Sequence, residues 1–400
     1  MATVLAIISC FFVTPGREYL SYINWRTLIL LFCLMAVVAG FAKAGVFRYI
    51  SRKLSQRMKD TRRLSVGFML LCFLLSMFVT NDVALVTVVP LTLLTMMGCS
   101  EKAKIQTLVQ ETIAANLGSM LTPFGNPQNL YLSSYYGIGM GEFLRLMLPY
   151  TGVALVILLL QTLISPKEGL GGRAREAGTP ERRVKEAAIP EGKNREAASL
   201  YESGENLTGK DEMYEEALRE KLLRSKGRLV SILLYGILFI VSMFSVARIL
   251  DYRILFGIIF ITILVYDRSV LRNVNYTLLL TFVSFFVLIG NLGAMTQIQA
   301  ALTQMIEGRE LLTAILSSQI ISNVPAAVLL SGFTDQGKAL IVGTDLGGLG
   351  TLIASMASII TFQLYSLESG AKKGKYFLTF TLWNVIDLVI LGAVAYCMMR

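Results

Sequence analysis

Long apolar runs, broken in a few places by short polar clusters, set the pattern of this chain. Five runs cover Trp25–Ala44, Phe143–Leu163, Leu229–Val246, Leu278–Ala294 and Tyr376–Met399. Each is close to the ~20 helical residues that cross a hydrocarbon core of roughly 30 Å, so each predicts a transmembrane helix. A shorter run, Thr3–Val13, lacks a basic flank and continues into Pro15 and Gly16 instead of a small-residue cleavage site. It reads as a retained short helix rather than a cleaved signal.

Two further segments are apolar but interrupted. Leu64–Met97 spans 34 residues with Asp82 as its single charge. One helix of that length would be roughly 50 Å long, so the alternative to a severely tilted span is a pair of arms meeting at Thr80-Asn81-Asp82. Leu311–Gly332 carries Ser317, Ser318, Gln319, Ser322, Asn323 and Pro325 in its middle. Proline lacks an N–H and biases Val324 away from the helical region, which predicts a re-entrant hairpin with its tip at 322–325 over a merely kinked span. A glycine-rich polar stretch follows each tip, Gly118–Asn129 and Gly343–Ser355. The first holds two prolines, two glycines and several amide or hydroxyl side chains and cannot stay helical; the second has an exterior loop as its alternative. Lipid cannot satisfy a freed backbone, so breaks at membrane depth are tolerated only where they line a cavity or lie buried in protein.

The same order of elements runs twice. Asn24-Trp25-Arg26-Thr27-Leu28 opens an apolar helix in the first half and Asn275-Tyr276-Thr277-Leu278-Leu279 does so in the second; a hairpin, a broken helix and one more span follow each. Between Lys43 and Arg63 stand eight Lys or Arg against one acid, Asp60. Such a basic loop marks the cytoplasmic face. The helix from Trp25 then runs inward and the helix from Tyr276, beside Asp267, Arg268 and Arg272, runs outward. The expected fold is an all-α multi-pass membrane protein of two inverted repeats, each with a re-entrant helical hairpin and a discontinuous transmembrane helix. Residues 1–164 form the first repeat, with its tip at 80–82 and unwound helix at 118–129. Residues 229–400 form the second, with its tip at 322–325 and unwound helix at 343–355. A cytoplasmic polar linker, 165–228, joins them.

Composition narrows the classes. With 54% apolar residues, 16% charged residues and a mean hydropathy of +0.61, the chain is too apolar for a soluble globule. Most of the net charge of +10 sits in the 43–63 segment, while the linker nearly balances 14 basic against 13 acidic residues, and neither has the aromatic interleaving of a nucleic-acid surface. No nucleic acid partner is expected. The glycine-rich linker start predicts partial disorder, and Lys210–Lys226 a charged surface helix. The sequon Asn206-Leu207-Thr208 is silent on a cytoplasmic segment. There is no histidine, and Cys10, Cys33, Cys72, Cys99 and Cys397 show no paired spacing. Neither a metal centre nor a disulfide framework is indicated, any proton coupling falls to carboxylates, and little remains for an enzyme.

Four segments carry a resemblance: Thr80-Asn81-Asp82-Val83-Ala84, Thr122-Pro123-Phe124-Gly125-Asn126-Pro127-Gln128-Asn129, Ser322-Asn323-Val324-Pro325-Ala326-Ala327 and Gly343-Thr344-Asp345-Leu346-Gly347-Gly348. They resemble the motifs of the ion transporter superfamily, which includes citrate transporter-like and divalent anion:sodium symporters, arsenite efflux carriers and sodium/proton antiporters. The resemblance implies two opposed hairpins, two unwound helices, an elevator-type movement and a homodimer. In the dicarboxylate branch the tips read Ser-Asn-Thr. Thr80 and Asn81 match the first two positions, as do Ser322 and Asn323, while Asp82 and Val324 depart at the third. A carboxylate beside a divalent anion is repulsive unless a cation or proton intervenes, which weighs against citrate-type dianions. Asp82 and Asp345 are more similar to the acidic positions of the arsenite and sodium/proton branches, with a helix-capping role the alternative for Asp82.

The resulting expectation is a secondary active transporter in the plasma membrane, coupled to sodium or protons, moving a small anion or its neutral acid by alternating access. Thr80, Asn81, Thr122, Asn126, Ser322, Asn323 and Thr351 are the candidate substrate residues. Asp82 and Asp345, with the carbonyl-bearing Gly118 and Gly347, are the candidates for the coupling ion or proton. No cofactor is expected, with sodium the candidate ion. Sodium/proton antiport is the alternative within transport, and a membrane channel the alternative outside it.

Overall fold

In the computed structural model, residues 2–13, 16, 18–55, 58, 60–168 and 208–399 are described; Asn206 of the sequon and the 169–207 linker lie outside the described residues. Among them the protein is built from helices and holds no strand. The first half comprises α1 (Ala2–Ser9), α2 (Tyr19–Tyr22), α3 (Trp25–Ala44), α4 (Val46–Ser55), α5 (Thr61–Ser76), α6 (Asn81–Thr95), α7 (Glu101–Ser119), α8 (Pro127–Tyr135) and α9 (Met140–Ile164). The second comprises α10 (Thr208–Val246), α11 (Tyr252–Tyr266), a 3-10 turn (Arg268–Asn273), α12 (Tyr276–Ala294), α13 (Thr296–Ile306), α14 (Glu310–Ile321), α15 (Asn323–Ser331), α16 (Gly337–Leu346), a 3-10 turn (Leu352–Ala354), α17 (Met356–Ser366) and α18 (Lys373–Met399).

The five long apolar runs are helical as the pattern predicts, and five helices are long and apolar enough to cross a membrane: α3, α9, the Gly227–Val246 part of α10, α12 and α18. The two helices expected to open the halves start with the same cap. Asn24 accepts from Thr27 N and Asn275 from Leu278 N, each at 3.0 Å, satisfying donors that a helix N-terminus leaves orphaned. Their backbones match as well, with φ −79° and ψ 84° at Asn24 and φ −79° and ψ 81° at Asn275.

Both interrupted segments are pairs of helical arms. α5 and α6 are separated by residues 77–80, and α14 and α15 meet at Ser322. The unwound stretches are shorter than 118–129 and 343–355. α7 stays helical through Ser119 and α8 begins at Pro127, whose missing N–H is harmless at a first helical position. In the second half α16 continues through Leu346, so Gly343 to Leu346 are helical and the break begins at Gly347. Two further expectations need correcting. The 43–63 segment is not a loop but contains α4, and the boundary between linker and second repeat at 228/229 falls inside the continuous helix α10.

Packing places the breaks at the centre. Every α7 residue from Ala103 to Ser119 is buried, among α5, α6, α9, α17 and α18. A helix enclosed on all sides needs no apolar stripe, which explains why α7 has no amphipathic face and tolerates Gln106, Gln110, Glu111 and Asn116 inside. α16 holds the matching position in the second half, packed on α14, α15 and α8. The halves interlock: α8 of the first packs on α15 and α16, and α17 of the second packs on α6 and α7. Outside, α9, α10, α11 and α18 present exposed Leu148, Leu160, Ile240, Ile261, Leu382 and Val389, an apolar surface suited to lipid. The linker entry is tied down, since Thr61 N donates to Glu168 O at 2.9 Å and Arg62 Nε to Ser165 O at 3.0 Å.

Close approach of α7 to α5 depends on Gly118, where an added Cβ would stand 2.2 Å from the Phe73 carbonyl oxygen. Gly152 of α9 faces open space. Glycine to alanine in a helix ordinarily stabilises by roughly 1 kcal/mol, whereas overpacking a core costs about 1–3 kcal/mol. Thermal unfolding in detergent should therefore give a lower midpoint for Gly118→Ala and an equal or higher one for Gly152→Ala.

Candidate functional site

The hairpin tips and the helix breaks form one polar layer, mostly buried, with Thr351 at its exposed edge. At the first tip, Asn81 Oδ1 accepts from Asp82 N at 3.0 Å and Asn81 Nδ2 donates to Asn116 Oδ1 at 3.0 Å. At the second, Asn323 Oδ1 accepts from Val324 N at 2.9 Å. Each asparagine thus occupies the second backbone donor of the helix that it opens. Ser322 takes φ 74° and ψ 154°, a region that a residue with a Cβ enters at a cost of about 1–3 kcal/mol and only where its surroundings fix it. Its hydroxyl donates to Ala354 O at 3.3 Å, while Asn81 N donates to Gly125 O at 3.3 Å, so each tip is bonded to the break of its own half.

The remaining contacts repeat in the same spirit. Thr122 Oγ1 donates to Met77 O at 2.6 Å, and Thr351 Oγ1 donates to Gln319 O at 3.1 Å. Both threonines therefore lock an unwound strand to the last turn before a tip. Two anchors then cross between the halves. Asn116, two residues before Gly118, accepts from Ser355 Oγ at 3.0 Å and donates to Ser358 Oγ at 3.4 Å. Asp345, two residues before Gly347, accepts at Oδ1 from Asn126 Nδ2 at 2.9 Å and from Gln128 Nε2 at 3.3 Å. Each broken helix is held by the start of the helix that follows the other break.

The candidate residues separate into two groups. Asn81, Thr122, Asn126, Ser322, Asn323, Thr351, Asp345, Gly118 and Gly347 belong to this bonded layer. Gly118 O already accepts from Leu121 N at 3.3 Å and Gly347 O from Gln319 Nε2 at 2.9 Å; a carbonyl has a second lone pair for a cation. Asp345 Oδ2 is buried without a hydrogen-bond partner. Thr80 and Asp82 instead line a partly open cavity of about 440 Å³, with Val83, Val86, Pro127 and Met356 among its walls. The Asp82 carboxylate receives no hydrogen bond from the described residues, so it does not cap its own helix, whose N-cap position is Thr80. Lys43 also lines this cavity and pairs with Asp267 at 2.5 Å. Partial burial pushes the Asp267 carboxyl up, but the hydrogen bonds from Lys43 and Ser269 outweigh it and hold the group below its ordinary range.

Sequence reasoning left several members of the layer without a role. Gln319 is the brace of the second break: Nε2 donates to Gly347 O and Leu349 O, each at 2.9 Å, and Oε1 accepts from Thr351 N at 2.9 Å. Ser355 and Ser358 receive Asn116, and the quoted but unassigned Gln128 reaches Asp345. Two more carboxylates are buried outside the layer. Glu111 accepts from Thr92 Oγ1 at 2.6 Å and Asp387 from Gln161 Nε2 at 2.5 Å, each leaving its second oxygen unpartnered. Asp387 had a signal, being the single charge between Lys375 and Arg400, which marks an intramembrane ionisable residue.

Replacing Gln319 by leucine removes four hydrogen bonds at once, the three of the brace and one from Nε2 to Ile315 O at 3.2 Å. Each buried group left unsatisfied costs about 1–3 kcal/mol, so Gln319→Leu should lower the unfolding midpoint well beyond the effect of Gln336→Leu at the exposed start of α16. Equal midpoints for the two variants would show that the brace carries no stability.

With the geometry established, comparison with known proteins is informative. Residues 1–336 match the model of the CitMHS family, described as citrate transporter. An uncharacterized transporter of Methanocaldococcus jannaschii, MJ0456, is 29% identical over 384 residues, covering 94% of this chain and 91% of the relative. The inner membrane protein YbiR of Escherichia coli is 28% identical over 355 residues, covering 87% of this chain and 82% of the relative. The putative transporter arsB of Dictyostelium discoideum is 28% identical over 152 residues, 38% of this chain and 27% of the relative. The family match bears out the superfamily resemblance of the four motifs, and with it the apolar helices acquire their meaning: the chain belongs to the citrate transporter family and is an integral membrane transporter.

Proposed function

We propose that this transporter is an ion-coupled secondary carrier of a small anion or its neutral acid, working in the plasma membrane by alternating access. The observation that carries the reading is a pair of acids, half-buried Asp82 at the first hairpin tip and buried Asp345 just before the second break. Asp82 faces a cavity of small-molecule size without a bonded partner, and Asp345 keeps one oxygen free within the layer. An uncompensated buried carboxylate is costly, so both positions favour a proton or a sodium ion. Gly118 and Gly347 contribute carbonyls near the first break and the second, respectively. Thr80, Asn81, Thr122, Asn126, Ser322, Asn323 and Thr351 offer hydroxyl and amide groups that donate and accept, suited to an oxyanion or a protonated acid.

The doubled caps, tips, threonine locks and anchors support two inverted repeats, 1–164 and 229–400, joined by the 165–228 linker. In that frame the hairpins and broken helices form a transport body that slides as an elevator, and the family resemblance favours a homodimer. Basic residues place Lys43 and the linker in the cytoplasm. Lys43 lines the cavity of Asp82, which supports a reading in which that cavity opens toward the cytoplasm.

Sodium/proton exchange without an anion is the second reading. It is favoured by one observation: Lys43, the one cation that lines the Asp82 cavity among the described residues, is already committed to Asp267.

In proteoliposomes, Asp82→Asn combined with Asp345→Asn should abolish ion-driven transport while the unfolding midpoint stays within a few degrees of wild type. Undiminished transport by the double variant overturns the reading. An interior pH dye separates the two modes: sodium-dependent alkalinisation with no anion present selects exchange, and a signal that requires arsenite, sulfate or a carboxylate selects anion coupling.

A further inference from the structure

The cytoplasmic end of the first hairpin carries a feature that the transport layer does not use. α4 buries Phe47 and Ser51 against the bundle while Tyr49, Ile50 and Lys53 stay exposed. Between its outer side and α5 runs a groove of about 900 Å³. Ile50, Leu54, Val66, Leu70, Leu71 and Leu74 form its apolar walls, and Gly67 lies at its floor, beneath the side chains of Leu54 and Met58.

Charge is confined to one end. Lys53, Arg62 and Arg63 line the groove near the start of α5, and among the described residues no other basic or acidic side chain lines it. Arg62 spends its Nε on Ser165 O, and Arg63 Nε stands 3.5 Å from Asp60 Oδ2 with its side chain 66% exposed. One carboxylate among three cations leaves a net charge of about two positive units there. From Arg63 to Leu74 the helix rises roughly 16 Å, which is close to half of a ~30 Å hydrocarbon core and so to the depth of one leaflet.

We propose that this groove binds one anionic phospholipid of the cytoplasmic leaflet, its phosphate on Lys53 and Arg63 and one acyl chain along Val66, Leu70 and Leu74. The occupant follows from the arrangement: cations at the interface end alone, an apolar wall of one leaflet's depth, and an amphipathic helix at the boundary between them. A soluble anion has no use for the wall, and an uncharged lipid has none for the cations. Because α5 is the arm that leads to Thr80 and Asn81, an occupied groove also braces the first hairpin. The inference stands on this geometry alone and does not depend on the coupling ion or substrate.

The full-length protein in neutral detergent tests it, by thermal unfolding and native mass spectrometry with phosphatidylglycerol or phosphatidylcholine added. The expected result is retention of one phosphatidylglycerol per chain and a raised midpoint, with a much smaller response to phosphatidylcholine. Removing the cations with Lys53→Gln and Arg63→Gln should weaken phosphatidylglycerol binding roughly fivefold for each, about 25-fold together. Leu74→Trp, at the far end and exposed to lipid, should weaken it by filling the acyl wall while leaving the cations intact. Equal stabilisation by both lipids, equal stabilisation by inorganic phosphate, or phosphatidylglycerol affinity unchanged in both variants overturns the proposal.

Discussion

Everything in this fold follows from the cost of an unpaired backbone group inside an apolar environment. Four helices, α5, α7, α14 and α16, end within the packed bundle, and each end leaves carbonyls that an apolar interior cannot satisfy. The protein answers with side chains that bond backbone: Asn81 and Asn323 at the tips, Thr122 and Thr351 on the unwound strands, Gln319 across the second break. It then closes the layer across the two halves, through Asn116 to Ser355 and Ser358 and through Asp345 to Asn126 and Gln128. The interlocked packing of α8 and α17 on the opposite halves is the geometric condition for those anchors to reach.

The broad architecture was legible because it rests on length and breaker chemistry. A 34-residue apolar stretch is too long for a single crossing, and Pro325 after Ser322-Asn323 cannot continue a simple span, so both hairpins could be drawn from local rules. The breaks were drawn too wide because glycine and proline mark where a helix is weak, not where it stops. Gly118 is kept helical by its contact with Phe73, and Pro127 starts a helix instead of ending one. α4 was missed because a count of charges hides the apolar residues spaced between them.

Among the site residues, those whose chemistry is local were the readable ones. The tip asparagines and break threonines act within a few turns of chain or on the paired arm. Gln319, Ser355 and Ser358 act on backbone or amides 28 to 242 residues distant in sequence, and nothing in one sequence pairs them. The two acids, which looked alike as letters, differ in surroundings. Asp345 is a structural anchor with one free oxygen, while Asp82 is aimed at open volume and contributes no bond to the framework. At positions two residues before each break glycine, the protein uses a neutral amide in one half and an ionisable acid in the other. The anchor made by Asn116 is therefore indifferent to protonation, and the one made by Asp345 is not.

The crossed anchors bear on how the chain is made. Synthesis delivers the first half to the bilayer before the second exists, and at that moment Asn116 lacks Ser355 and Ser358 while Asn126 and Gln128 lack Asp345. An early break in this condition has amides facing hydrocarbon, which is tolerable only while water or the insertion machinery keeps them solvated. The long linker sets the length of that interval, since some sixty residues from 165 to 228 must emerge before the second half begins to insert. The protein's centre is thus the last part of it to become stable, completed only when α16 and α17 arrive.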